Sequence, residues 1–169
     1  EGRVPSAPLL KTEYLDRGTP GVSIFTPNRI QNAENLAKAV AGNTAAYRRA
    51  ISVCLPAARQ MQDEASAIIA RIGAMLGERE AATAYVVFGA GNSGGTAGAE
   101  GLVLGLEVIC FLADSAPAVK QVLRDFIAHE MAHGYGYTDE GVCNFIGLVT
   151  CLKSDNQYIR YSGLLSYWK

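Results

Sequence analysis

The chain has 169 residues, enough for a hydrophobic core of its own, and we predict a single domain over residues 1–169. Its formal net charge is −1 with 18% charged residues, so the composition gives no reason to expect a nucleic-acid partner. The longest apolar run, residues 101–113, is interrupted by Glu107 and is too short to cross a bilayer, which argues against a transmembrane segment.

The N-terminal half is predicted to be an irregular arm followed by helices. Residues 1–25 should form the arm because they carry several helix-breaking residues, namely Pro5, Pro8, Gly18, Pro20 and Gly21. A helix over about 27–40 should follow, with Thr26 as its N-cap and Pro27 in its first turn. Two more helices should come next, the second over about 57–77, where apolar residues recur at helical spacing.

The hydrophobic period then changes from that of a helix to that of strands. Residues 82–88 are rich in β-branched and aromatic side chains and predict a strand. Residues 89–98 are mostly glycine and small polar residues and predict a flexible connection. Residues 101–112 are nearly all apolar and predict a buried second strand, which we expect to pair with the first as a hairpin with a long loop.

The next predicted helix carries the sequence H-E-M-A-H at residues 129–133 and should run from Ser115 to Gly134 or Gly136. His129 and His133 are the chain's two histidines, and a spacing of four residues puts them on one face of a helix. Two imidazoles at this spacing can hold one Zn²⁺, and the intervening glutamate can act as general base for a water molecule. We therefore predict one catalytic zinc ion on His129 and His133, with Glu130 as the base.

A catalytic zinc needs a third protein ligand, and two interpretations of the following residues compete. In the favoured one, Glu140 binds the metal from the start of a helix that reaches about residue 152. Asp139 would then cap that helix, and Asn144, one turn after Glu140, would orient a ligand from outside the coordination shell.

In the alternative interpretation, Asp139 is the metal ligand. The stretch then follows the pattern H-E-x-x-H-x-x-G-x-x-D, with Gly136 turning the chain, which is the metzincin layout with Asp in place of His. Metzincins also have a methionine turn downstream, and no methionine follows Met131. The incomplete pattern is why Glu140 is preferred.

H-E-M-A-H followed by E-G-V-C-N resembles the gluzincin metallopeptidases. Residues 129–163 are similar to a bacterial family of uncharacterised membrane-associated H-E-x-x-H proteins, and N-S-G-G-T-A-G-A-E-G-L-V-L-G-L-E resembles predicted zinc-dependent proteases of exported bacterial proteins. The resemblance implies a mostly helical α+β fold, a minimal gluzincin-like domain with N-terminal helices, a small hairpin or sheet, an active-site helix and a glutamate helix. The chain departs from the family in its short connection at 134–139 and in Val142, where the family has an acidic residue.

The predicted function is zinc-dependent hydrolysis of peptide bonds in a peptide or protein substrate. The developing oxyanion needs a donor besides the metal, and the candidates are Tyr137, Tyr158, Arg160 and Tyr161. The resemblance favours Arg160 and Tyr161. The strand at 101–112, or its hairpin partner, could align an extended substrate along its edge.

A non-catalytic zinc-binding domain for protein interaction is the main alternative. A structural zinc site would need a fourth protein ligand, and no further histidine or suitably spaced cysteine is present. A helical binding module without metal is a further alternative, although it would leave the histidine and glutamate pattern unexplained.

The four cysteines are predicted to be small buried apolar residues, with a Cys54–Cys110 disulfide possible if the protein is exported. Cys143 and Cys151 should share one helix about 12 Å apart, too far for a disulfide. Because the sequence begins at Glu1 rather than Met, we expect either a removed leader or a trimmed start. With the resemblance, this favours a periplasmic or secreted protein, or the soluble part of a membrane-anchored one.

Overall fold

A computed structural model describes residues 4–77, 82–154, 157, 160, 161, 163 and 164 of the chain. It confirms a mostly helical α+β fold with a small three-stranded sheet. The helices are α1 (Ala7–Leu10), α2 (Pro20–Phe25), α3 (Ala33–Gly42), α4 (Thr44–Arg49), α5 (Leu55–Arg59), α6 (Gln62–Leu76), α7 (Leu106–Phe111), α8 (Ala116–Gly134) and α9 (Glu140–Leu152). Short π-helical segments follow three of them, at Lys11–Leu15, Thr26–Ile30 and Ala50–Cys54. Within the described residues, no helix is long and apolar enough to span a bilayer.

The prediction of an irregular N-terminal arm is wrong. Helices α1 and α2 lie inside it, and each has a proline in its first turn, Pro8 in α1 and Pro20 in α2. A first-turn proline gives up no intrahelical hydrogen bond, so these prolines start helices instead of breaking them. The helix expected at 27–40 begins later, at α3, because Asn32 rather than Thr26 is its N-cap and accepts a hydrogen bond from Asn35 N.

The predicted hairpin of two long strands is also wrong. The strands are β1 (Ala84–Val87), β2 (Gly95–Gly98) and β3 (Gly101–Gly105), in the order β1-β3-β2. β1 pairs with β3 in parallel, and the true hairpin partner of β3 is β2, which lies in the stretch expected to be a loop. The apolar run at 101–112 is a strand only as far as Gly105 and continues as α7, since a continuous apolar run fits a buried strand and a buried helix equally well.

The sheet separates two clusters of buried side chains. Leu102 and Leu104 of β3 point towards a cluster with α5, α6 and α8, whereas Val103 between them points towards a cluster with Phe25 and Leu36 of the N-terminal helices. This alternation follows from the pleat of a strand, where successive side chains lie on opposite faces. The H-E-x-x-H helix therefore packs on one face of the sheet and α2 on the other.

Helix α8 has the extent that the sequence predicts. Ser115 is its N-cap and accepts a hydrogen bond from Ala118 N, and Pro117 lies in its first turn. Its buried apolar stripe includes Val119, Leu123 and Ile127. The H-E-x-x-H sequence thus occupies the last turns of α8. One face of this helix packs on the sheet, and another packs against α9.

Glu107 fixes the loop that connects β1 to β2. Its carboxylate oxygens accept hydrogen bonds from Gly89 N and Gly91 N, at 3.0 and 3.1 Å, and the Tyr47 hydroxyl donates to Gly89 O. Burial raises the pKa of the Glu107 carboxyl, and the two backbone donors oppose that rise. The loop before β2 is therefore anchored to the core through Glu107, although its glycine content predicts a flexible connection.

Two of the cysteines form a disulfide, Cys54–Cys110, with their Cα atoms 5.9 Å apart. The expectation that all four are simple buried thiols is therefore wrong for this pair and right for Cys143 and Cys151, which are free and buried. Residues 155–156, 158–159, 162 and 165–169 lie outside the described part of the chain, so the C-terminal tail is described only at residues 157, 160, 161, 163 and 164.

Replacing Cys54 and Cys110 together with alanine should lower the free energy of unfolding, because the disulfide joins residues that are 56 positions apart. The entropy of closing a loop of that size corresponds to about 4 kcal/mol, and measured losses for native disulfides are about 2–5 kcal/mol. Urea unfolding followed by circular dichroism measures the difference. Wild-type protein reduced with dithiothreitol is the matched control and should approach the variant, whereas equal stability of the variant and the oxidised wild type would contradict a disulfide that stabilises this fold.

Candidate metal centre

The two histidines of α8 direct one ring nitrogen each towards a common point. His129 and His133 lie one turn apart, and their Nε2 atoms are 3.0 Å apart. The rings meet edge to face, with an interplanar angle of 77°. The same-face spacing of a helix produces this pair, as the sequence predicts.

The opposite ring nitrogens are held by acceptors from the loop after α8 and from α9. His133 Nδ1 lies 2.8 Å from the carbonyl oxygen of Tyr137, and His129 Nδ1 lies 3.0 Å from Asn144 Oδ1. A carbonyl oxygen can only accept, so His133 carries its proton on Nδ1 and a lone pair on Nε2, and the Asn144 contact favours the same tautomer for His129. Two metal-binding lone pairs are thus oriented by hydrogen bonds on the far side of each ring, an arrangement common around metal ligands.

Glu140 supplies a third donor group at the same point. It is the first residue of α9, and its carboxylate oxygens lie 3.1 Å from His129 Nε2 and 3.5 Å from His133 Nε2. One ligand atom from each of the three residues lies within 4.8 Å of the others. The Glu140 side chain is 73% exposed, so the group opens to solvent on the carboxylate side.

This donor set is chemically suited to zinc. Two imidazoles and a carboxylate are an established set of protein ligands for catalytic Zn²⁺. Bonds of about 2.0–2.1 Å at tetrahedral angles place two ligand nitrogens roughly 3.3 Å apart, close to the observed Nε2–Nε2 separation of 3.0 Å. The residues present therefore fit a zinc ion with only small adjustments.

Asp139, the alternative third ligand, has a different role in this structure. It is the N-cap of α9, and its Oδ1 accepts a hydrogen bond from Val142 N at 2.9 Å. A carboxylate used in this way points along the new helix instead of towards the imidazoles. The structure therefore brings Glu140, and not Asp139, into the group that could hold a metal.

The described residues bring no fourth metal ligand to this point. Cys143 is the nearest thiol, but its Sγ lies 3.4 Å from His133 Nδ1, on the side of the ring that faces away from the other donors. Cys151 Sγ contacts Asp125, and the other two cysteines are in the disulfide. A metal held here would keep a coordination position for a small molecule such as water.

Glu130 lies on the sheet side of the centre. It is 7% exposed and packs against Gly95 of β2, where an added Cβ would come within 2.5 Å of Glu130 Oε1. Burial raises the pKa of its carboxyl to about 7; His133 opposes this rise, Glu140 adds to it and Arg29 opposes it. The carboxyl is thus enclosed between the helix and the first residue of an edge strand.

Two residues near Glu130 were not predicted from the sequence. Gly95 lies in a stretch that was expected to be a flexible connection, and only the close packing of β2 on α8 explains why it is glycine. Arg29 lies in the π-helical segment Thr26–Ile30, about a hundred residues before the motif in the chain. No periodicity or spacing connects it to the histidines, so the sequence holds no signal for it.

The structure gives positions relative to the centre for two of the predicted oxyanion donors, Arg160 and Tyr137. Arg160 Nη1 donates to Ser154 O, beyond the C-terminal end of α9, whereas Glu140 is at the N-terminal end. A helix of 13 residues separates these ends by about 20 Å, too far for Arg160 to contact a substrate on the metal. Tyr161, its neighbour, is 64% exposed, and Tyr158 lies outside the described residues. Tyr137 reaches the site through its backbone carbonyl.

The fold and the centre together define a mostly helical α+β protein with a candidate H-E-x-x-H metal site. Residues 118–169, fewer than half of the chain, match a family described as "Protein of unknown function (DUF3810)". The match includes α9 and the histidines of α8 but carries no activity with it. No curated protein and no solved structure matches the chain.

Three single variants separate the roles of the acidic and amide side chains around the histidines. Glu140→Ala should weaken zinc binding by more than about a hundredfold, because it removes a direct ligand, and Asn144→Ala should weaken it about 10–100-fold by releasing the His129 ring. Asp139→Ala is the matched control and should cost about 1 kcal/mol of stability with little change in affinity. Isothermal titration with Zn²⁺ measures all three, and a larger loss for Asp139→Ala than for Glu140→Ala would reverse the assignment.

Proposed function

We propose that this protein is a zinc-dependent metallopeptidase. The observation that carries the proposal is the convergence of His129 Nε2, His133 Nε2 and a Glu140 carboxylate oxygen within 4.8 Å of one another, with the open side towards solvent. The H-E-x-x-H sequence supports hydrolysis in particular, because a buried glutamate follows the first ligand directly. One zinc ion would be held by these three side chains.

A zinc ion held by His129, His133 and Glu140 would supply Lewis-acid chemistry, which activates a water molecule and polarises the scissile carbonyl. Glu130 takes the proton of the attacking water and passes it to the leaving amine. Burial against Gly95 keeps the Glu130 carboxyl out of bulk water and raises its pKa. A general base with a pKa near neutral is effective near neutral pH. Asn144 and the Tyr137 carbonyl keep both imidazoles in the tautomer that binds metal.

The edge of β2 is the surface along which a peptide substrate would bind. β3, which was expected to offer such an edge, is the central strand and is paired on both sides. Among the described strands, only β3 pairs with β2, so the other edge of β2 is not paired with a strand, and Ser93 Oγ donates a hydrogen bond to Gly95 O. Gly95 packs against Glu130 and Ala97 lies beside Gly134, so β2 follows α8 past the metal ligands. An extended peptide added to this edge would pass close to Glu130.

The alternative of a non-catalytic zinc-binding interaction domain receives less support. A structural site is normally closed by four protein ligands, and the described residues contribute three here. The chain contains no further histidine, and its cysteines face other partners. An open position suits a reacting molecule better than a purely structural ion.

We propose that the protein is periplasmic or secreted, or that it is the soluble part of a membrane-anchored protein. The Cys54–Cys110 disulfide supports both, because disulfides persist in oxidising compartments and are rare in the cytosol.

Glu130→Gln should keep zinc and lose hydrolysis. Glutamine has nearly the same shape but cannot accept the proton of the attacking water, so turnover of a quenched peptide library should fall by about 10²–10⁴. Zinc content, measured by atomic absorption, should remain at one ion per chain. Glu34→Gln, an exposed position in α3, is the matched control and should leave both quantities unchanged.

Unchanged turnover in Glu130→Gln would show that another group is the base. A zinc-loaded wild-type protein that cleaves no peptide of the library would contradict the peptidase proposal and favour the non-catalytic zinc domain.

A further inference from the structure

We propose that the outward face of α9 binds a second copy of this chain, so that two α9 helices pack antiparallel in a symmetric dimer. The contact surface is a line of four apolar residues, Val142, Phe145, Val149 and Leu152, which we call the outer stripe. The proposal concerns a different side of α9 from the metal centre and does not depend on the proposed function.

The outer stripe is an apolar surface that the described part of the chain leaves largely uncovered. Val142, Phe145 and Leu152 are 40%, 52% and 39% exposed, and Val149 is half-buried. Their spacing of three, four and three residues puts them on one side of the helix, as in the contact line of paired helices. The residues of α9 that pack on α8 lie on the opposite side.

Charged residues are absent from α9 after its first residue. No residue from 141 to 152 is charged, so the outward face lacks the charged side chains that normally cover a surface helix. Two copies of the outer stripe would therefore meet without repulsion, and the contact would remove large apolar side chains of both copies from water. The charged groups at the two ends of the helix identify the partner.

The outer stripe is complementary to itself when the two helices run in opposite directions. With the two-fold axis at the level of residue 147, Val142 lies opposite the partner's Leu152 and Phe145 opposite the partner's Val149. Each of these contacts then occurs twice, as in the isologous interfaces of two-fold dimers. The large Phe145 ring meets the smaller Val149 side chain, so the two surfaces can interdigitate.

The C-terminal end of α9 is positively charged. Arg71 Nη1 donates to Lys153 O at 3.4 Å, and Arg160 Nη1 donates to Ser154 O at 2.7 Å, so two guanidinium groups lie beside this end of the helix. Lys153 is exposed, and its amino group contacts Met75 Sδ. Among the described residues, no carboxylate forms an ion pair with Lys153.

The N-terminal end of α9 carries the opposite charge. Asp139 and Glu140 lie there, and a Cβ added at Gly141 would come within 3.1 Å of Asp139 Oδ1. In the antiparallel register, Gly141 lies opposite the partner's Lys153, so this lysine meets the Asp139 carboxylate at both ends of the dimer. A zinc ion would offset the charge of Glu140, whereas Asp139 lies outside the ligand group and keeps its charge. A parallel pair would bring lysine beside lysine and align the helix dipoles unfavourably, so the charges favour the antiparallel dimer.

The size of the contact limits its strength and leaves the metal centre open. One pair of 13-residue helices buries less than the roughly 800 Å² per partner of a standard interface, so we expect a reversible dimer with a Kd of about 1–100 µM. Glu140 and Asn144, which contact His129, lie on another side of α9. The dimer therefore forms beside the centre and does not cover it.

Sedimentation velocity over a range of protein concentrations tests for the dimer. The mean mass of the wild type should rise with concentration from one chain towards two. Phe145→Glu should weaken association by more than about tenfold, because it places a charge in each half of the contact. Ile51→Glu, which replaces another exposed apolar residue, is the matched control and should associate like the wild type. Circular dichroism shows whether each variant has folded.

Cysteine cross-linking tests the direction of the two helices. A mixture of Val142→Cys and Leu152→Cys chains, treated with oxidised glutathione, should form a disulfide between the two variants. Each variant alone should cross-link far more slowly, because about 15 Å along the helix separates the two copies of the same position. Wild type, whose free cysteines are buried, is the control. Faster linking of Val142→Cys to itself than to Leu152→Cys would contradict the antiparallel dimer.

A charge reversal tests the contact at the helix ends. Lys153→Glu places a glutamate beside the partner's Asp139 and should weaken association about threefold to tenfold at low salt, with a smaller effect at high salt, where these charges are screened. Lys38→Glu, an exposed position in α3, is the matched control and should have no such effect.

A wild type that remains a single chain at the highest soluble concentration would overturn the proposal. Association of Phe145→Glu as tight as that of the wild type would do the same. Either result would mean that the outer stripe faces a different partner, such as a membrane or another protein.

Discussion

The metal centre depends on the hydrogen bonds that hold the two imidazoles from behind. With Asn144 Oδ1 and the Tyr137 carbonyl at the Nδ1 atoms, both Nε2 lone pairs face each other 3.0 Å apart and face the Glu140 carboxylate. Electron pairs and a negative charge placed together in this way repel one another unless a cation lies between them. Local hydrogen bonds at the start of α9 impose that arrangement, which explains why the junction of α8 and α9 defines the chemistry of the molecule.

The rest of the fold places β2, a short strand that begins and ends with glycine, beside the junction of α8 and α9. β2 can approach α8 closely only because Gly95 has no side chain to collide with Glu130. The loop before β2 is fixed by Glu107 from the core and by the Asn92 contact with Arg29 from the N-terminal region. The N-terminal helices thus contribute to the site through the opposite side of the sheet, and a chain that kept only α8 and α9 would lack this positioning.

The sequence predicted the structural features that short-range periodicity determines. It did not predict the contacts between segments that lie far apart in the chain. His129 and His133, and a glutamate one short loop later, follow from helical spacing and capping, which residues close in sequence determine. The strand order does not follow from residues close in sequence. The apolar run at 101–112 fits a strand or a helix, and β2 lacks the alternating β-branched residues that are typical of a strand. The prolines of residues 1–25 favour an irregular segment by composition alone, whereas Pro8 and Pro20 occupy first-turn positions of helices. Arg29 affects the pKa of Glu130 only because the tertiary fold brings their segments together.

X-ray absorption at the zinc edge of the zinc-loaded protein tests the central claim most directly, because it reports the atoms bound to the ion. We expect one zinc per chain with two imidazole nitrogens, one carboxylate and one solvent oxygen at about 2.0–2.2 Å. A sulfur ligand at about 2.3 Å, a single imidazole, or failure to bind zinc at all would contradict an open centre built from His129, His133 and Glu140.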